Sequence, residues 1–137
     1  MARLGRLQNM VIGNTHSNID YEVPATAVAR DTFVTVFTFT TAIDIVYDIY
    51  FRIGWDSAAR NTYRLEIAIN GVFKYGQQWR NLGPLFPWEN GYRETSMTRN
   101  GVRLSAGDTI TFQVRSNAPN ASQRRVRGGV VNMAQVL

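Results

Sequence analysis

Apolar positions recur with period two over most of this chain, the spacing of half-buried β-strands. The clearest stretch is 43–53, where Ile43, Ile45, Tyr47, Ile49, Phe51 and Ile53 alternate with Asp44, Val46, Asp48, Tyr50 and Arg52. Successive side chains of a strand leave on opposite faces, so one face belongs to a core and the other meets water or a neighbouring subunit. Residues 33–40 are rich in β-branched and aromatic residues and predict a second strand, apolar on both faces. Trp55 to Asn61 is expected to be a loop. Residues 62–69 then alternate again, with Tyr63, Leu65, Ile67 and Ile69 inward and Arg64 and Glu66 outward. Asn70-Gly71 follows, and a type I′ turn needs positive φ at both central positions. It predicts a hairpin into a returning strand over 72–79.

Residues 80–91 are broken by Gly83-Pro84, Pro87 and Asn90-Gly91, yet they carry Leu82, Leu85, Phe86 and Trp88. An apolar loop left in water is costly, so this one is expected to dock on a neighbouring subunit or another protein. Further on, a strand over 92–98, a tight turn at Asn100-Gly101 and a short strand over 102–104 are predicted. A turn at 105–108, a strand over 109–115, a loop over 117–122 and a final strand over 128–137 complete the chain. No long helix and no internal repeat interrupts the pattern. About eight antiparallel strands predict an all-β jelly roll or β-sandwich. Residues 1–20 fit no clear strand and are set apart as an N-terminal arm, with 21–137 as a single domain.

The 137 residues suit one domain with a core of its own. With 0 Cys there is no disulfide scaffold, cysteine nucleophile or thiolate metal site, and 1 His rules out the common multi-histidine zinc sites. No apolar run reaches the roughly 18 residues of a membrane span. The N-terminus carries Arg3 and Arg6 without an apolar stretch behind them, which predicts synthesis in a cytoplasm. The net charge of +5 is almost purely arginine, since Lys74 is the single lysine. Arginine forms planar bidentate bonds and stacks on aromatic rings, so fourteen arginines beside sixteen aromatics make an interface-like composition.

The segment from Val102 to Val114, Val-Arg-Leu-Ser-Ala-Gly-Asp-Thr-Ile-Thr-Phe-Gln-Val, resembles the Leu-x-x-Gly-Asp turn and following strand of the tumour-necrosis-factor and complement-head jelly rolls. In those families a final apolar strand completes the core at a trimer axis, and 128–137 is similar. The same trimeric form recurs in tailed-phage capsid decoration (cement) proteins and fibre heads, which a Cys-free chain of this kind resembles best. The resemblance implies a homotrimer and a virion structural protein on the outer capsid surface, with the major capsid protein as partner. It implies no enzyme, cofactor, metal, membrane or nucleic-acid partner. On that basis Val46, Tyr50, Arg52, Met133 and Val136 are expected at the trimer interface. Arg3, Arg6, Leu85, Phe86, Trp88, Arg124, Arg125 and Arg127 are expected to contact the capsid or another partner.

Other constellations carry rival chemistry. Asp44 and Asp48 lie about 13 Å apart on one strand, too far for the usual glycosidase pair, and ion pairs with Arg64 or contacts across a subunit interface are the expected alternative. Four further carboxylates, Asp56, Glu89, Glu94 and Asp108, remain candidates for an acid–base pair. His16 has neither a nucleophile elbow nor a second histidine to serve, and is expected to be a surface residue. Trp79, Trp88 and Tyr92 could present aromatic faces to a sugar ring, which makes a carbohydrate- or receptor-binding module, such as a fibre head, the alternative function.

Overall fold

A computed structural model describes residues 11–12, 18–83 and 91–136. The strands are β1 (Val11–Ile12), β2 (Ile19–Val23), β3 (Thr26–Ala27), β4 (Val34–Thr41) and β5 (Ile45–Ala58). They continue with β6 (Tyr63–Ile69), β7 (Val72–Trp79), β8 (Gly91–Leu104), β9 (Thr109–Ser116) and β10 (Arg125–Gln135). One sheet runs in the order β1-β4-β9-β6-β7, and the other in the order β2-β10-β5-β8, with β3 also on β10. From β4 onward only the β6–β7 hairpin keeps the chain in one sheet; every other connection crosses to the opposite layer. That winding is the jelly roll expected from the period-two pattern.

The two inner faces supply the core, as alternation demands. Ile45, Tyr47, Ile49, Phe51, Ile53 and Trp55 of β5 are all buried, and face Tyr63, Leu65, Ile67, Ile110, Phe112 and Val114 of β6 and β9. Phe51 meets Phe112 edge-on across the sandwich, with ring centroids 5.1 Å apart. The polar atoms of two buried aromatics, Trp55 and Tyr63, are partnered within this core. Trp55 Nε1 donates to Thr95 Oγ1 at 3.0 Å, and the Tyr63 hydroxyl donates to the Gln123 carbonyl at 2.7 Å while accepting from Ala59 N–H. Burial raises the Tyr63 phenol above its ordinary value, so it stays protonated in that role.

Four expectations change. Residues 55–58 continue β5 instead of opening a loop. Asn100-Gly101 is no turn: β8 runs through it, and the register slips there because two residues oppose Asp48. Gly101 has φ +67° and gives its N–H to Asp48 Oδ1 at 2.9 Å, so this is a β-bulge. The last strand begins at Arg125, three residues earlier than expected. Finally, Ile19–Val23 and Thr26–Ala27 both pair with β10. β2 therefore starts inside the segment set apart as an arm.

Candidate functional site

The outer face of the β2-β10-β5-β8 sheet is built in rows by strand register. One row reads Glu22, Val130, Arg52, Ser96, and the next reads Asp20, Asn132, Tyr50, Thr98. Ala134 stands opposite Asp48 below them, and Val46 opposite Arg103. Val136 N–H donates to the Val46 carbonyl at 2.9 Å, which brings Val136 beside this corner. Tyr50 remains 37% exposed and Val136 43% exposed. Beside Tyr50 lies an open depression of about 210 Å³, lined by Asp48, Ile49, Thr98, Asn100, Asn132 and Ala134. The face thus carries an aromatic knob next to a hollow of small side chains. Acidic Asp20 and Glu22 lie on its β2 side and Arg103 on its β8 side.

Four of the five residues expected at a trimer interface, Val46, Tyr50, Arg52 and Val136, fall on this face. Met133 does not. It is fully buried, because its place in the alternation of β10 turns it inward with Val131.

Above these rows the face is closed by an ionic network. Arg52 pairs with Glu94 at 2.8 Å, and the Tyr92 hydroxyl donates to the same Glu94 carboxylate at 2.8 Å. Arg127 bonds Asp56 at 2.7 Å and stacks 4.4 Å over the Tyr92 ring, while Arg125 stands 3.8 Å from Asp56. Arg125 and Arg127 are more than half exposed, so each pair is worth about 0–1 kcal/mol. Arg124 differs: it donates to the carbonyls of Val28 and Ala118 at 2.7 and 2.6 Å. These bonds tie the 3₁₀ turn Ala121–Arg124 to the body of the protein.

Of the aromatic residues proposed for sugar stacking, Trp79 and Tyr92 do not converge. Trp79 pairs with Tyr63 in the other sheet and packs half-buried against the core. Tyr92 has one ring face taken by Arg127. The carboxylates are likewise occupied. Asp44 accepts from Ala106 N–H, Asp48 from Gly101 N–H, and Asp56 and Glu94 hold arginines. Arg64 pairs with Glu66 in the opposite sheet, not with the β5 aspartates. Asp108 lies below the ordinary carboxylate value because Asn70 and Ser105 N–H donate to it. No group of three or more metal-ligating side chains occurs among the described residues. Arg3, Arg6, His16, Leu85, Phe86, Trp88 and Glu89 lie outside the described residues.

A second concavity was not expected from sequence. It lies at one end of the other sheet, holds about 270 Å³, and is lined by Asp31, Thr62, Arg64, Gln78, Arg115, Ser116 and Asn117. Cross-strand pairing sets Arg64 directly between Gln78 of β7 and Arg115 of β9. Asp31, at φ +54°, is brought in by its N–H bond to the Ser116 carbonyl. Near its β7 side, Phe73 is 52% exposed and stacks with Arg64.

No family model matches the chain, and no curated protein matches it in sequence. Solved structures do match in shape. An Eiger tumour necrosis factor from S. frugiperda superposes with a TM-score of 0.55 at 11% identity, over 88% of this chain and 93% of its own. The CBM36-1 domain of a multidomain xylanase from the hindgut metagenome of Trinervitermes trinervoides gives 0.52 at 13% identity, over 88% and 99%. At such identities the likeness is one of fold: the chain is a jelly-roll β-sandwich similar to tumour-necrosis-factor-like and carbohydrate-binding-module domains.

Proposed function

We propose that this protein is a non-catalytic structural module of a virion, a capsid decoration protein that assembles as a homotrimer and clamps neighbouring capsid subunits. The observation that carries the reading is the Tyr50 face. An exposed aromatic beside a hollow of small side chains, on a sheet with acids along one edge strand and an arginine along the other, suits heterologous contact with a copy of itself. The trimeric form is drawn from the tumour-necrosis-factor resemblance of the Val102–Val114 segment. Apolar area buried at such contacts returns about 25 cal/mol per Å². Repetition over many copies turns modest contacts into a strong clamp. Co-sedimentation with capsids of the parent virus tests the partner: binding that Tyr50→Asp weakens supports the reading, and absence of binding overturns it.

A second reading, a carbohydrate- or receptor-binding head, is favoured by one observation, the polar concavity between β6, β7 and β9. A glycan array on the purified protein separates the two readings.

A further inference from the structure

We propose that the concavity bounded by Asp31, Arg64, Gln78 and Arg115 binds a sugar that carries a carboxylate, a hexuronate in chemical class. The inference deepens the second reading and rests on it; it is independent of the trimer.

Two like charges meet at this concavity. Arg64 and Arg115 stand directly opposite each other on adjacent strands, an arrangement that is destabilising unless anions offset it. Arg64 has its anion: Glu66 bonds its Nε, and Gln113 Nε2 holds the other Glu66 oxygen at 3.3 Å. Arg115 has only a loose one: its Nη2 stands 3.8 Å from Asp31 Oδ1, an ion pair beyond hydrogen-bond distance, and no hydrogen-bond acceptor engages its guanidinium among the described residues. Yet the group is positioned, because its Cζ lies 5.2 Å from the centre of the Phe33 ring. A guanidinium stacked on an aromatic ring with its donors open is the fork that receives a carboxylate through two parallel bonds.

The rest of the lining suits hydroxyl groups. Asn117 spends its Oδ1 on Thr62 N–H at 2.9 Å, which leaves its amide NH₂ to donate. Gln78 and Thr62 can each donate and accept, and Asp31 accepts. A volume of about 270 Å³ lies at the low end for ligand pockets and fits one ring, not an extended chain. Asp31 also discriminates: its negative charge opposes a doubly charged phosphate more than a singly charged uronate. A neutral hexose would leave Arg115 with only its loose pair to Asp31.

The test is a titration of the ¹⁵N-labelled full chain with glucuronate, glucose and inorganic phosphate, followed by NMR. Glucuronate is expected to shift the amides of residues 31, 62, 78 and 115–117, with glucose and phosphate weaker by about tenfold or more. Arg115→Gln is expected to weaken glucuronate by about tenfold, and Gln78→Ala by less, with an unchanged spectrum elsewhere showing that each variant is folded. Equal response to phosphate overturns the proposal in favour of a bare anion site, and equal response to glucose overturns the role of the carboxylate. Glucuronate binding that survives Arg115→Gln places the sugar elsewhere and leaves the carbohydrate reading standing. Failure of every sugar on the array removes both.

Discussion

The ring of Tyr92 lies across Gly54. A methyl group added to Gly54 would collide with the Tyr92 hydroxyl and with its ring carbons at 2.9 Å. Gly54 pairs with Gly128 on one side and Glu94 on the other, so two glycines open a shallow trough in the sheet and Tyr92 fills it. The filled trough is what holds Glu94 between Tyr92 and Arg52, and Arg127 over the ring.

Gly54→Ala is therefore expected to cost about 1–3 kcal/mol through overpacking, read from urea unfolding. Combined with Tyr92→Ala, which clears the trough, it is expected to cost clearly less than the two changes added separately. Strict additivity would mean that Tyr92 is not what makes glycine necessary there.

Thr95 is the acceptor of the buried Trp55 indole N–H and is 1% exposed. Thr95→Val keeps the shape and strands that N–H, so about 1–3 kcal/mol of stability should be lost. Thr95→Ser retains the hydroxyl and is expected to recover most of it. Equal losses in both variants would point to packing of the methyl group instead.

Asp108 supplies a pH dependence. Its carboxylate is held below the ordinary value of 3.8, chiefly by the Asn70 amide and then by Ser105 N–H. Because the folded value is the lower one, the stabilisation is present above the unfolded value and disappears as pH falls through the folded value. Chemical denaturation at neutral pH should find Asp108→Asn less stable than the parent protein, and the gap should close under acid below that ordinary value. A gap that stays constant with pH would contradict the assignment.

Much of the fold was legible because burial imposes period two. β7 has the expected bounds of 72–79, and the inward residues of β5, β6 and β9 are those the alternation selects. Ile19–Val23 alternates as well, but five residues beside an unpatterned stretch carry little signal; β10 alone makes them a strand. At Asn100-Gly101 local chemistry misled. Positive φ at Gly101 serves a tight turn and a bulge equally, and only the opposing Asp48 decides between them.

The functional surfaces were legible in part. Alternation placed Val46, Tyr50 and Arg52 on one face, and the same rule applied to β10 would have turned Met133 inward. The Arg115 concavity had no sequence signal. Asp31, Arg64, Gln78 and Arg115 come from four separate segments, and only the order β9-β6-β7 brings them together.

The central claim is that the Tyr50 face meets a second copy. Light scattering behind a sizing column, run at several concentrations, tests it most directly. A mass of about 46 kDa, three times the 15.5 kDa chain, is expected for the parent protein, with Tyr50→Asp and Arg52→Glu shifted toward the single chain while remaining folded. A parent protein that stays at 15.5 kDa throughout, or a trimer untouched by both substitutions, would contradict it.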